Sequence, residues 1–305
     1  NGHLVVVGAT ASGKSALSLE LARRRPGTEL VSMDSMAIYR GMDIGTASPS
    51  AAERAEVPTH LLDLVDPSED FSVSMFQEAA RKTLDELAVR SCRAVLVGGT
   101  GLHVRAVVDD LEIPGQWEEV RADLEVEADT VVLHDRLSEL DPVAAVRMEP
   151  TNRRRVIRAL EVSIGSGRPF SSFGPGLEAY PPSPFTQIGL RVDREVLDRR
   201  IAERYRRQLD DGFLDEVRRL IDLPRGPSRS AAQALGYREL LSHLRGECTL
   251  DRAIGEAISA TRQFARRQER WFRRDPRIEW LDVADDPLVV LDQVLERFDA
   301  TGPQR

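Results

Sequence analysis

The stretch Gly8-Ala9-Thr10-Ala11-Ser12-Gly13-Lys14-Ser15 constrains this chain more than any other. It follows the apolar run Leu4-Val5-Val6-Val7 and leads into Ala16-Leu17-Ser18-Leu19-Glu20-Leu21-Ala22, whose pattern is helical. A buried strand, a G-x-x-x-x-G-K-S loop and a helix opening at Ser15 put this phosphate-binding loop in the context it requires. The glycines let the backbone curl so that successive N–H groups face one anion. The helix N-terminus adds partial positive charge, and Lys14 reaches the outer phosphate. A chance glycine-rich turn is the alternative, but both flanking elements are of the right kind. The motif specifies a polyphosphate or pyrophosphate ligand and leaves open whether that ligand is a nucleotide.

At 305 residues the chain can build a full α/β core and a second, smaller unit. No run approaches the roughly 18 apolar residues that cross a bilayer, and no secretory signal is read ahead of the first strand. The chain starts at Asn1, almost directly on a strand, which leaves open a short leader ahead of it. Cys92 and Cys248 lie far apart without metal spacing, which suits reduced thiols in a cytoplasmic protein. The net charge of −8 argues against a polyanionic partner, yet the arginines are unevenly placed. One cluster is Arg153-Arg154-Arg155 with Arg158. Another holds Arg262, Arg266, Arg267, Arg270, Arg273, Arg274 and Arg277. Screening confines such interactions to about 10 Å, so a locally basic face can bind a polyanion on an acidic protein. Taken alone, each cluster reads equally as a solvated helix face.

Glu29–Met33 reads as a second buried strand that ends at Asp34, where a carboxylate would point into the crevice at the strand ends. A simple cap on the following turn competes with that role. His60 to Pro67 suggests a short strand, and Ser72 to Val89 an amphipathic helix. The next strand, Ala94–Val97, ends in Gly98-Gly99-Thr100-Gly101 and carries no terminal aspartate for Mg²⁺, against expectation for a nucleotide hydrolase. From 114 to 185 the strand–helix alternation stops. This stretch reads as a helical insertion, with Thr151 capping the helix that bears the first arginine cluster. Thr186–Val192 restores a strand. The following helix carries Arg200, Arg204 and Arg207 on one stripe, read first as solvated charge and second as a lid over phosphates. Leu250 to Arg274 is the longest helical signal, Arg277–Val283 a last strand, and Pro287 to Phe298 a closing helix. Aromatics among the arginines of the long helix suit contact with single-stranded nucleic acid, with Trp271 equally readable as core.

Together these stretches resemble the tRNA dimethylallyltransferase (isopentenyltransferase) family. The resemblance rests on Gly8–Ser15, on Asp34-Ser35 with Ile38-Tyr39-Arg40-Gly41-Met42-Asp43-Ile44-Gly45-Thr46-Ala47, and on Leu96-Val97-Gly98-Gly99-Thr100. It continues through Asp141-Pro142-x-Ala144-Ala145, Arg158-Ala159-Leu160-Glu161-Val162, Gly236-Tyr237-Arg238 and Thr261-Arg262-Gln263-x-Ala265-x-Arg267-Gln268-x-x-Trp271, in order over nearly the whole chain. Ala9 stands where the family usually has Pro, and Met36 where Gln or Ala is common.

The resemblance implies an α/β fold: a P-loop NTPase-like parallel sheet flanked by helices, with core segments 1–113 and 186–305 around a helical insertion at 114–185. It implies transfer of a dimethylallyl group from dimethylallyl diphosphate to N6 of the adenosine just 3′ of the anticodon, position 37, in tRNAs reading UNN codons. Gly8, Ala9, Thr10, Ala11, Ser12, Gly13, Lys14 and Ser15 would cradle the diphosphate, helped by Thr100 and Arg204, with Mg²⁺ held through Ser15. Asp34 would accept the N6 proton, so the catalytic set is Asp34, Thr100, Arg204 and Lys14. The tRNA contacts implied are Asp34, Ser35, Met36, Ala37, Thr100, Arg121, Arg154, Arg155, Arg158, Gln233, Gly236, Tyr237, Arg238, Arg266, Arg267, Arg270, Trp271 and Arg273. The insertion is expected to hold the anticodon stem-loop; no membrane and no obligate protein partner are implied. Competing readings are a P-loop small-molecule kinase with ATP, an isopentenyltransferase acting on free adenine nucleotides, and, last, a non-enzymatic RNA-binding module.

Overall fold

The computed structural model describes residues 2–302. In chain order the elements are β1 (Leu4–Gly8), α1 (Lys14–Arg24), β2 (Thr28–Ser32), α2 (Ala51–Glu56), β3 (Thr59–His60), α3 (Val73–Val89), β4 (Arg93–Gly98) and α4 (Gly101–Val108). Then follow α5 (Glu118–Val126), α6 (Thr130–Leu140), α7 (Pro142–Val146) and α8 (Arg153–Ser166). The chain continues with β5 (Thr186–Val192), α9 (Arg194–Asp210), α10 (Phe213–Ile221), α11 (Arg229–Ala232), α12 (Tyr237–Leu244), α13 (Leu250–Phe272), β6 (Ile278–Val283) and α14 (Leu291–Ala300).

The six strands form one all-parallel sheet in the order β3-β2-β4-β1-β5-β6. The continuous apolar runs explain this. A strand such as Leu4-Val5-Val6-Val7, with every residue fully buried, needs cover on both faces, and parallel sheets wrapped by helices provide it. From β1 the chain crosses to β2. From β4 it later returns past β1 to β5, so the carboxyl ends of β1 and β4 flank the crevice where such sheets bind ligands.

Two compact units divide the chain: residues 1–109 with 182–305, and residues 110–181. The helical unit thus begins and ends slightly earlier than the 114–185 expected from sequence. Its core joins Leu124, Leu133, Leu137, Ala144, Ala145, Val156, Ile157, Ala159 and Leu160. Asp141, 1% exposed, caps α7 by accepting from Ala144 N at 3.0 Å and also accepts from Ser171 N and Oγ, both at 2.7 Å. The Asp-Pro-x-Ala-Ala motif is therefore a helix start: Pro at the first turn loses nothing, and the buried carboxylate is fully bonded.

Several local expectations are corrected. The strand expected at His60–Pro67 shrinks to Thr59–His60, because Leu61 and Asp63 take positive φ and turn the chain out of the sheet. Asn152 caps α8 in place of Thr151, accepting from Arg155 N. The glycine turn after β4 opens directly into α4. The longest helix stops at Phe272, and the closing segment starts as a 3-10 turn, Pro287–Val290, ahead of α14.

Candidate active site

The Gly8–Ser15 loop lies where the sequence expects it, between β1 and α1. Gly13 sits at φ 93°, a left-handed conformation that costs a side-chain-bearing residue about 1 kcal/mol, and caps α1 from there. Ser12 is buried, while Ser15 on the first turn of α1 is exposed. Lys14 is 9% exposed and donates to the Ala9 carbonyl at 2.7 Å. Burial pushes its ammonium down to about 8; the Asp34 carboxylate pulls it up and the Arg204 guanidinium pushes it lower. Asp34 thus acts electrostatically on Lys14, and its attraction also opposes the burial that lowers Arg204. Loop, strand end and α9 converge on one locus.

Arg204 does not behave as solvated charge. Its Nη1 donates to Thr10 Oγ1 at 2.9 Å, while its buried Nε has no hydrogen-bond partner among the described residues. A guanidinium whose buried Nε goes unused is costly in isolation and suits an anion. One turn earlier, Arg200 donates to the Ala11 carbonyl at 3.1 Å and to the carbonyls of Ala284 and Asp285. The α9 stripe therefore anchors the phosphate loop. Only Arg207, exposed, matches the solvated reading.

Asp34 follows β2 and is half-buried. Its Oδ1 accepts from Met36 N at 2.8 Å, so the capping role is real, while Oδ2 carries no hydrogen bond among the described residues. Both roles coexist in one side chain. Ser35 N donates to Thr100 Oγ1 at 3.3 Å, joining the Asp34 turn to the end of β4. Thr100 then leads into α4. Met36 is partly buried against the core, and Ala37 is 5% exposed with its carbonyl accepting from Asp63 N.

The second half of the Asp34–Ala47 motif is architectural. Glu216, 2% exposed, accepts from the backbone N–H of Asp43, Ile44 and Gly45 at 3.0, 2.8 and 3.0 Å. It also accepts from the Tyr237 hydroxyl at 2.5 Å. Gln208 holds the same loop by donating to the carbonyls of Ile44 and Gly45. Tyr237, expected to touch tRNA, is instead 1% exposed and edge-on to Phe213, and burial beside Glu216 raises its phenol far above the usual value. Gly236 is buried too, at φ 86° beneath Phe213 and Tyr205. Of that group Gln233 and Arg238 are exposed, the latter paired with Glu239.

The long-helix cluster divides in three. Arg277 is held by Asp109 and Asp275, which raise it and fix it as structure. Trp271 is partly buried, and a Cβ on Gly101 would lie 2.2 Å from its indole, so the ring occupies the space that glycine leaves. Arg262, Arg266, Arg270 and Arg273 line an open groove of about 1010 Å³ with Arg191 and Arg194; Arg262 donates to the Asp198 carbonyl and Arg273 pairs with Glu269. Arg267 is exposed, its guanidinium lying 5.8 Å from the Phe264 ring centroid.

In the helical unit, Arg154 and Arg155 are exposed and without ion-pair partners among the described residues. Arg158 and Arg121 converge on Glu161, a carboxylate 1% exposed that also takes Trp117 N at 2.9 Å. Sequence reasoning missed Glu161, Glu216, Gln208 and Gln268 as organising groups. The available signal was a polar residue standing on an otherwise apolar, buried helix stripe.

A parallel α/β fold whose Gly8–Ser15 loop, Asp34 strand end and arginine-bearing α9 meet, with no carboxylate closing β4, defines a phosphate-loop group-transfer protein. The sequence model of the IPP transferase family matches residues 37–275, and the chain belongs to that family. It is 46% identical to the tRNA dimethylallyltransferase of Nocardioides sp. over 94% of this chain and 93% of that one. Against the tRNA dimethylallyltransferase of Streptomyces coelicolor identity is 48%, covering 92% and 91%. The crystal structure of the tRNA isopentenylpyrophosphate transferase of Bacillus halodurans superposes with a TM-score of 0.73 at 37% identity, covering 98% of this chain and 96% of that chain. A eukaryotic dimethylallyltransferase solved acting on tRNA gives a TM-score of 0.77 at 25% identity, covering 93% and 75%.

Proposed function

We propose that this protein is a tRNA dimethylallyltransferase that moves the dimethylallyl group of dimethylallyl diphosphate onto N6 of the adenosine 3′ of the anticodon in tRNAs reading UNN codons. The observation that carries the reading is the joint placement of Lys14, Arg204 and Asp34 around a phosphate loop whose neighbouring strand ends in Gly98-Gly99-Thr100. A γ-phosphate transferase needs a strand-end carboxylate for its metal; a diphosphate leaving group does not.

The N6 lone pair attacks the allylic C1 while the C1–O bond breaks, and the electron pair leaves with the diphosphate. Lys14, the backbone N–H groups at the start of α1 and Arg204 receive the growing charge in a site already shaped for it. Asp34 takes the N6 proton as nitrogen becomes cationic, through an oxygen not engaged in its turn. The base must leave its stack to reach this depth, at a cost of about a few kcal/mol.

Ser15 fits a Mg²⁺ ion. It stands exposed on the first turn of α1, directly after Lys14, where its hydroxyl can supply one oxygen ligand. Mg²⁺ accepts few protein ligands when phosphate oxygens and water complete its shell. When bound it would supply positive charge beside the diphosphate oxygens.

For tRNA contacts we propose the exposed Arg154 and Arg155 of α8, the half-buried Arg121 and Arg158 beside Glu161, the exposed Gln233 and Arg238, and Arg266, Arg267, Arg270 and Arg273 of α13. Ser35, Met36 and Thr100 border the path of the base. Among the described residues no helix is long and apolar enough to cross a membrane, and work on tRNA suits the cytoplasm. Incubation with labelled dimethylallyl diphosphate and tRNA, AMP, ATP or no acceptor tests the reading. Label confined to tRNA adenosine is the expected result; label on AMP or ATP, or phosphate transfer from ATP, overturns it.

A further inference from the structure

The polar residue most deeply tied into the site belongs to none of the roles above. Gln268 lies on α13, is 7% exposed, and its side-chain amide has both ends engaged. Oε1 accepts from Thr10 N at 2.8 Å, in the phosphate loop, and Nε2 donates to the Gly99 carbonyl at 2.8 Å, at the end of β4. These two segments flank the crevice, and among the described residues no other side-chain hydrogen bond spans from one to the other. Gly99 is shaped around this bond, for a Cβ there would stand 2.3 Å from Nε2. One turn along α13, Trp271 fills the space over Gly101. α13 therefore grips both glycines that flank Thr100, while Thr10 also accepts from Arg204 and Thr100 from Ser35 N.

We infer that Gln268 is a positioning residue for the transfer reaction, a latch that sets the phosphate loop against the Thr100 turn. The inference rests on the proposed transferase reading. By engaging Thr10 N it fixes which loop amides remain for the diphosphate, and by holding the Gly99 carbonyl it fixes the height of Thr100 beside Asp34 and Ser35. Neither a buried hydrocarbon nor a carboxylate can do both. Met keeps the length and loses both bonds; Glu keeps the acceptor for Thr10 N but sets a carboxylate against the Gly99 carbonyl. A filler role would be satisfied by Met, which has similar volume.

The test compares the full-length wild type with Gln268→Met, Gln268→Glu, Gly99→Ala and the Gly99→Ala/Gln268→Met double variant. Isothermal titration with inorganic pyrophosphate reads the cradle without chemistry, and steady-state transfer to tRNA separates kcat from KM. Misplacement of about 1 Å in a reacting constellation costs about 10²-fold, so Gln268→Met is expected to lose about that in kcat/KM. Pyrophosphate affinity should fall about tenfold, with tRNA affinity kept within about twofold. Gly99→Ala pushes the amide out by a different route and should give the same phenotype. The double variant should cost no more than either single change, because one shared bond is lost in each case. Gly99→Ala keeps the test decisive if Gln268→Met does not fold. Variants that fold and bind pyrophosphate as the wild type does, or costs that add in the double variant, overturn the latch. A wild type that binds pyrophosphate but labels no tRNA overturns the transferase reading and leaves the pyrophosphate arm of the latch to be judged by itself.

Discussion

Two helices of this protein carry clustered arginines, and they end in opposite circumstances. On α9, Arg200 and Arg204 are half-buried, bonded to Ala11, Thr10 and the carbonyls that follow β6, and the Arg204 Nε is buried. On α8, Arg154 and Arg155 stand in solvent with no ion pair among the described residues, and only Arg158 turns inward, to Glu161 and the Pro114 carbonyl. The difference is one of surroundings. α9 packs where backbone carbonyls and hydroxyls are available and a ligand's charge is expected, so its guanidinium groups are positioned before any ligand arrives. α8 offers charge at long range, where water and salt weaken it. The first arrangement suits differential stabilisation of a reacting group, the second capture of a polyanion.

The widest gap between the two should appear with Arg204→Ala. A preorganised donor facing a leaving group contributes about 10²–10³-fold, so kcat/KM for dimethylallyl diphosphate should fall by about that much while tRNA affinity holds. A tRNA-affinity defect alone would move Arg204 into the α8 class. Asp34→Ala should lower kcat by about 10²-fold with both substrates still bound. Single-turnover rates at saturating tRNA decide it, and unchanged turnover removes Asp34 from proton transfer. On the other side, the Arg154→Ala/Arg155→Ala pair should weaken tRNA binding by about tenfold at moderate salt and lower the log–log salt slope by about 1–2. Pyrophosphate affinity of that variant should stay at the wild-type value; filter binding across a salt series shows whether it does.

The smallest effect is the pH dependence set by Lys14. Its ammonium sits at about 8 in the free protein because burial disfavours charge. Above that pH it is neutral, and diphosphate binding must then recruit a proton. Pyrophosphate affinity should fall about threefold between pH 7.5 and 8.5, with proton uptake visible as a buffer-dependent heat. For stability the sign is opposite. A lysine whose folded value is depressed below 10.5 costs stability while it is charged, and the cost eases as pH rises from about 8 toward 10.5. Lys14→Met should raise the Tm of the ligand-free protein below pH 8 while abolishing pyrophosphate binding. A Tm lowered by that change would mean Lys14 is not held as a buried charge.

Much of this was legible in the sequence. The apolar runs, the Gly8–Ser15 loop between a strand and a helix, and the break in alternation near residue 114 specify a parallel sheet, an anion cradle and a helical insertion. These are local properties, since periodicity and glycine placement act within a few residues. Asp34 was legible from its place at a strand end and Arg204 only through the family resemblance, its stripe reading first as solvated charge; Arg204 bonds Thr10, and the Asp34 carboxylate acts on Lys14. Tyr237 and Gly236 share a motif with exposed Arg238, yet they are buried under Phe213, and no spacing rule distinguishes a sequence signature that binds from one that braces. Trp271 stood undecided between core and surface until Gly101 supplied the space for its ring.

The chain by itself therefore determined that a strand, a curled loop and a helix would meet at Gly8–Ser15. The tertiary structure alone decided which charges are bound to that loop, which lie open to solvent, and that Gln268 joins Thr10 to Gly99. Those outcomes depend on residues separated by 169 and 258 positions meeting in one crevice. Hydrogen bonds between such segments form only when the sheet has set the distance between them.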